Sequence, residues 1–171
     1  MKQINLQRVT YLSMMIALDV VLSPLFRIEG MAPMSSVMNV LAGVLLGPVY
    51  GTVMALMCAL IRMTLLGIPP LALTGAVFGA FFAGLLYRWR GGIGWSMLGE
   101  LIGTGLIGSL LSYPVMVWFT GSQQELYWLI YTPRFIGAAC IGSAMAWLIW
   151  QRAKKIPLIQ KMQTLFEARR V

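Results

Sequence analysis

The stretch Leu71-Ala-Leu-Thr-Gly-Ala-Val-Phe-Gly-Ala-Phe-Phe-Ala-Gly-Leu-Leu-Tyr87, followed at once by Arg88-Trp-Arg-Gly-Gly92, decides the fold class. It carries no charged side chain until its end, and a helix of that length reaches across most of the ~30 Å hydrocarbon core of a bilayer. Gly75, Gly79 and Ala83 recur at every fourth position and so share one helix face. In lipid, apolar burial does not drive helices together, so small residues that admit a neighbouring backbone supply the packing. The basic, tryptophan-bearing end is what a helix presents where it leaves the membrane on the cytoplasmic side.

Outward from this stretch the chain reads alike. Of its 171 residues 59% are hydrophobic and 11% charged, against roughly a quarter charged in a soluble domain. Further apolar runs cover about residues 8–26 (stopped near Ser23-Pro24), 33–46, 49–66, 95–119 and 127–150. Gly47-Pro48 turns the second into the third, and Gly67-Ile-Pro-Pro70 breaks the chain before the fourth. The run 33–46 is short for a full crossing. The expectation is an all-α integral membrane bundle of six transmembrane helices, with residues 1–150 as one domain. In the tail, residues 151–171, Leu158, Ile159, Met162, Leu165 and Phe166 fall at helical spacing among basic residues. That pattern predicts a basic amphipathic helix on the inner leaflet.

The net charge of +8 does not point to nucleic acid, because the basic residues sit at the chain ends and in one short loop. With the N-terminus inside, Lys2, Arg8, Arg88, Arg90, Arg152, Lys154, Lys155, Lys161, Arg169 and Arg170 all fall on the cytoplasmic face. An even number of spans puts both termini there, with loops near Gly30, Gly67 and Gly121 outside. Trp89, Trp95 and Trp150 then mark inner ends, and Trp118, Tyr127 and Trp128 outer ends, as an aromatic belt does. The N-terminal run is longer than a signal peptide's apolar core, so it reads as an uncleaved first span of a plasma-membrane protein.

The chain has no histidine, which excludes histidine acid–base chemistry, the H-E-x-x-H metal site and the Ser-His-Asp triad. Cys58 and Cys140 lie inside apolar runs and read as small hydrophobes rather than a disulfide. No G-x-x-x-x-G-K-[ST] loop is present, so energy for uphill transport comes from a partner or an ion gradient. An enzyme is the least favoured class, and neither a cofactor nor a metal is expected.

Asp19, Arg62, Glu100 and Arg134 fall within predicted spans. Each costs about 2.5–3.5 kcal/mol at mid-membrane, so each is expected to be paired or to face a wet cavity. Asp19 and Arg62 share the outer halves of their spans and are placed to pair. Glu100 lies nearer the cytoplasmic end, placed to reach water or Arg88. The outer halves also hold Ser35, Ser36, Asn39, Thr74, Phe78, Ser109, Ser112, Tyr113, Trp118, Trp128, Tyr131 and Phe135. A few polar groups among aromatics suit a pocket for a small, mostly apolar heterocycle; an interfacial girdle is the alternative. Gly99, Gly103, Gly105 and Gly108, and Ala138, Gly142 and Ala146, read as internal packing faces, whereas Ser13, Ala17 and Val21 offer a small-residue face to a partner protein.

The segments Asn39-Val-Leu-Ala-Gly-Val-Leu-Leu-Gly-Pro48, Ala59-Leu-Ile-Arg62, Gly84-Leu-Leu-Tyr-Arg88, Gly99-Glu-Leu-Ile-Gly-Thr-Gly105 and Ser112-Tyr-Pro-Val115 occur in order within residues 8–150. Together they resemble the ThiW family, substrate-binding S components of energy-coupling factor transporters. The resemblance implies a six-helix S-component fold and capture of the hydroxyethyl-thiazole precursor of thiamin near the outer surface. It also implies a module of a transmembrane coupling protein and two ATPase subunits. The family's Ala-x-x-x-Ala face on the first helix reads Ser13 and Ala17 here, with Asp19 an unusual neighbour.

A hydroxyethyl-thiazole is a flat ring with one acceptor nitrogen and one hydroxyl, which call for aromatic faces and hydrogen-bond partners. Asn39, Tyr113 and Tyr131 are therefore the expected contacts. Arg62 and Arg134, which only donate, suit an acceptor nitrogen or a structural carboxylate such as Asp19. The residues by themselves fit the thiazole, the pyrimidine precursor or thiamin alike. The competing reading is a small ion-coupled secondary transporter with Asp19 and Glu100 as coupling acids.

Overall fold

The structure is a computed structural model, and it describes residues 6–27, 31–121, 129 and 131–166. Lys2, Gly30, Ser122, Tyr127, Trp128, Arg169 and Arg170 lie outside the described residues. The elements are helices throughout: α1 (Leu6–Leu25), α2 (Pro33–Leu45), α3 (Gly47–Leu66), α4 (Leu71–Arg90), α5 (Ile93–Glu100), a π-helical segment (Leu101–Gly108), α6 (Ser109–Thr120), α7 (Thr132–Ala153) and α8 (Pro157–Leu165). The π segment joins α5 to α6, so Ile93–Phe119 runs as one long rod.

Among the described residues five helices are long and apolar enough to cross a membrane: α1, α3, α4, the rod and α7. The run 33–46 is not among them, so the expected count of six full-length spans is not confirmed. The run 33–46 does form a helix, but α2 has 13 residues and is only about 20 Å long. It needs no lipid-matched length because it is the centre of the bundle. Eleven of its thirteen residues are buried, leaving only Met34 and Leu41 partly exposed. Large apolar side chains such as Leu6, Leu65, Phe81 and Leu148 instead face outward from the surrounding helices, as lipid requires.

Glycine decides how closely the helices approach. A Cβ on Gly43 of α2 would lie 2.7 Å from the backbone nitrogen of Gly84 on α4, and one on Gly84 would lie 2.6 Å from Pro48. Between α4 and the rod, a Cβ on Gly99 would meet the carbonyl of Phe82, one on Gly103 that of Phe78, and one on Gly108 the Cα of Gly75. The spacing 99, 103, 108 is four and then five residues. The wider turn of a π segment keeps such positions on one face, and the π segment lies over this contact. Thr104 Oγ1 lies 2.9 Å from the Gly75 carbonyl oxygen and 2.8 Å from Glu100 Oε1, and its one proton is shared between these two acceptors, tying the same two elements together. The small-residue faces of the fourth, fifth and sixth expected spans are thus internal packing surfaces.

Gly142 seats the start of α2, since a Cβ there would lie 2.5 Å from the Pro33 carbonyl oxygen. Gly142 is ten residues into α7, about 15 Å along that helix. So α2 begins well below the level at which α7 begins, and a recess is left above it.

The opposite end is closed by α8. Met162 and Phe166 are buried with Met15, Met38, Leu45, Leu46 and Met54. Gln163 Nε2 donates to the Val44 carbonyl at 3.1 Å and to the Tyr87 hydroxyl at 2.8 Å. Arg8 Nε donates to the Leu165 carbonyl at 2.9 Å. The amphipathic stripe expected to face the inner leaflet therefore turns Met162 and Phe166 into the protein, while Leu158 stays exposed.

Gly43→Ala should lower the melting temperature of the detergent-purified protein, because backbone rather than a flexible side chain blocks the added methyl. Overpacking of this kind costs about 1–3 kcal/mol. Gly94→Ala, in α5 with nothing within 4 Å of the added Cβ, should be neutral or raise stability by up to about 1 kcal/mol. Equal melts for the two variants would show that the α2–α4 crossing does not depend on Gly43.

Candidate substrate site

The recess above α2 is a cavity with about 650 Å³ of space free of protein atoms, part of it continuous with the exterior. Ser23, Pro24 and Arg27 bound it at the end of α1, with Met31 and Ala32 on the approach to α2. Ser35, Ser36 and Asn39 come from the first two turns of α2, and Arg62 and Ile68 from the end of α3 and the residues after it. Leu71, Ala72, Gly75 and Ala76 of α4, Thr104 of the π segment, and Arg134, Phe135 and Ala138 of α7 complete the wall. Apolar walls with a few convergent polar groups are the usual make-up of a small-molecule site.

Three of the five expected substrate contacts, Asn39, Arg62 and Arg134, border this one cavity. They come from three helices and lie far apart in sequence. Asn39 and Arg62 are buried, and Arg134 is exposed at the rim with Arg27. Tyr113 and Tyr131 are not on the wall. Tyr113 is half-buried on α6. Tyr131 stands just before α7 with its ring edge-on to Phe135, centroids 6.5 Å apart. The aromatic surface facing the cavity is Phe135, one helical turn further along. Gly75 makes room for that ring, since a Cβ there would lie 2.7 Å from Phe135 Cε1. Ser112 and Thr74 bond to each other at 2.6 Å, and Ser109 donates to the Gly105 carbonyl at 2.6 Å, so these hydroxyls serve helix–helix and intrahelical contacts.

Behind Asn39 lies a polar cluster. Asn39 Nδ2 donates to Glu100 Oε1 at 3.3 Å, and Thr104 Oγ1 is 2.8 Å from the same oxygen. Glu100 is fully buried. The expectation that it reaches water or Arg88 is corrected. Glu100 packs beside Gly79, nine residues and about 13 Å along α4 from Arg88. A Cβ at position 79 would collide with Thr104 Oγ1 and Glu100 Oε2 and lie 2.8 Å from Asn39 Nδ2, so the cluster exists only because that residue is glycine.

Asp19 of α1 and Arg62 of α3, placed by the sequence to pair, are both buried, but no ion pair joins them. The Ser23 hydroxyl donates to Asp19 Oδ1, and Arg62 Nη2 donates to Ser35 Oγ at 3.5 Å. Asp19 sits in the field of Arg62. Asp19 Oδ2, Arg62 Nε, Asn39 Oδ1 and Glu100 Oε2 are all buried without a hydrogen-bond partner. Buried groups left in that condition cost about 1–3 kcal/mol each, so a ligand that satisfies Arg62 Nε or Asn39 Oδ1 from the cavity recovers part of that cost.

A helical bundle with an apolar exterior, five helices long enough to cross a membrane and a pocket at one end fits a multi-pass membrane protein with a small-molecule site. The family model described as thiamine-precursor transporter protein (ThiW) matches residues 9–156, and the chain belongs to that family. No curated protein and no solved structure matched the chain.

Asp19 and Arg62 are buried groups of opposite charge, so removing either leaves the other with less compensation. Arg62→Met and Asp19→Asn should each lower the melting temperature markedly. The double variant should recover most of the loss of the worse single. Additive losses in a thermal-melt double-mutant cycle would show that the two groups do not depend on one another.

Proposed function

We propose that the chain is the substrate-capture subunit of an energy-coupling factor importer. It binds the hydroxyethyl-thiazole precursor of thiamin in the cavity above α2. The observation that carries this reading is the convergence of Asn39, Arg62 and Arg134 on one largely apolar cavity in a chain of the thiamine-precursor transporter family. Phe135 offers the flat ring an aromatic surface, Arg62 a donor for the ring nitrogen, and Asn39 a partner for the hydroxyl.

The cavity faces outward in this proposal. It is lined by the first turns of α4 and α7, whereas Arg88, Arg90, Arg152, Lys154 and Lys155 lie at the far ends of those helices. The positive-inside rule then places both termini in the cytoplasm and the cavity mouth outside.

Energy comes from partners: a transmembrane coupling protein and two ATPase subunits. Ser13 and Ala17 are both exposed on α1, while Met15, Asp19 and Ser23 form its buried stripe. A small-residue face left on the outside of the bundle suits close approach by another helix. The ion-coupled alternative needs Asp19 and Glu100 as coupling acids, and Asp19 is instead engaged by Ser23 and Glu100 by Asn39 and Thr104.

Uptake of labelled hydroxyethyl-thiazole should require co-expression of the coupling module. Ala17→Trp should abolish uptake and co-purification of the module while leaving the affinity of the lone subunit within about twofold, because the bulk is added outside the bundle. In a background lacking Cys58 and Cys140, an impermeant thiol reagent added outside should label Ser122→Cys and spare Gly91→Cys. Gradient-driven accumulation by the purified chain alone would replace this reading with the secondary transporter, and reversed labelling would overturn the orientation.

A further inference from the structure

We propose that Glu100 is a positioning residue that fixes which end of the Asn39 carboxamide a ligand meets, and that the site thereby selects ligands presenting a hydrogen-bond donor at its floor. The inference rests on the thiazole reading above and assigns the substrate hydroxyl to Asn39 Oδ1.

A side-chain amide offers NH2 on one side and oxygen on the other, and only its surroundings decide which way it faces. Asn39 borders the cavity, is 1% exposed, and has Glu100 behind it. Glu100 Oε1 accepts from the NH2 side of the amide. Nδ2 lies 3.3 Å from Glu100 Oε1, and Oδ1 is left without a partner. The atom remaining for a ligand is therefore an acceptor.

Glu100 is itself held in place. Thr104 Oγ1 meets the same oxygen at 2.8 Å, and Thr104 is anchored to the Gly75 carbonyl at 2.9 Å. Gly79 supplies the space in which the three side chains meet. Arg62 borders the same cavity, and its Nε is a buried donor without a partner. The two orphaned groups are complementary to a ligand with one donor and one acceptor, and a hydroxyethyl-thiazole offers its hydroxyl and its ring nitrogen.

The test compares 5-(2-hydroxyethyl)-4-methylthiazole with its 2-fluoroethyl analogue, in which fluorine replaces the hydroxyl at nearly the same size and donates nothing. Calorimetry on the purified wild-type subunit should show the alcohol bound about 5- to 150-fold more tightly, the range for one buried hydrogen bond. Asn39→Ala should bring the ratio to within about twofold. Glu100→Met, which frees the amide to turn, should also shrink it, and Glu100→Gln, which can still accept from Nδ2, should restore most of it. A purely structural Glu100 would lower the melting temperature of Glu100→Met and leave the ratio unchanged, which overturns the assignment. If Glu100→Met does not fold, the wild-type ratio and Asn39→Ala decide. Equal wild-type affinities overturn the donor requirement and leave the thiazole reading standing. Binding of neither compound removes the thiazole reading and this assignment with it.

Discussion

A helix of thirteen residues cannot reach across a bilayer, and the rest of this structure is arranged around that shortfall. Because α2 is too short to meet lipid at both faces, it is stable only when other helices enclose it. Enclosure demands close approach on several sides, which explains the glycines at 43, 84 and 142 where α4 and α7 meet it. The shortfall also falls at one end. Since α2 starts about 15 Å below the start of α7, the bundle is filled by α2 and α8 at the charged end and left open at the other. The cavity is the missing length of α2.

That arrangement explains why costly groups collect where they do. Asp19, Asn39, Arg62 and Glu100 are buried in a chain that is otherwise short of charge. Polar groups inside a membrane protein are tolerated where they face one another or a cavity. Here the second half of α1, the first two turns of α2, the end of α3 and the end of α5 converge near the recess, and each supplies one such group. Their hydrogen-bonding capacity is not exhausted by one another, and under the proposed function a solute in the cavity takes up part of it.

Much of this was legible in the sequence, and the parts that were not have a common cause. The four-residue spacing of Gly75, Gly79 and Ala83 announces a packing face, because a helix repeats on that period whatever it touches. Asn39, Arg62 and Arg134 stood out because polar residues in apolar helices need a wet or paired environment. Glu100 stood out for the same reason but was expected near water or Arg88, because its depth was measured along its own helix. Its partner Asn39 is deep because α2 begins deep, a fact about α7 and Gly142. Tyr131 and Phe135 differ by one turn, and only packing decides which of them meets the cavity. The stripe in α8 suits a membrane surface and a groove in the protein equally, since both present apolar surface at the same period.

Helix α1 links the site to the outside of the bundle. Its residues 15, 19 and 23 face inward at four-residue spacing, and Asp19 and Ser23 end that stripe beside the cavity. Residues 13, 17 and 21 face outward at the same spacing. A helix of twenty residues with one stripe beside the cavity and the other on the exterior has no cheap way to bend except at Pro24, at its end. Under the proposed function, the partner that grips the outer stripe pulls on the helix that carries Asp19. Asp19 is held by Ser23 and by the field of Arg62, so displacement of α1 disturbs the guanidinium on the cavity wall. Release of the solute then requires no separate signal, because the contact that docks the partner and the groups that border the solute share one rigid element.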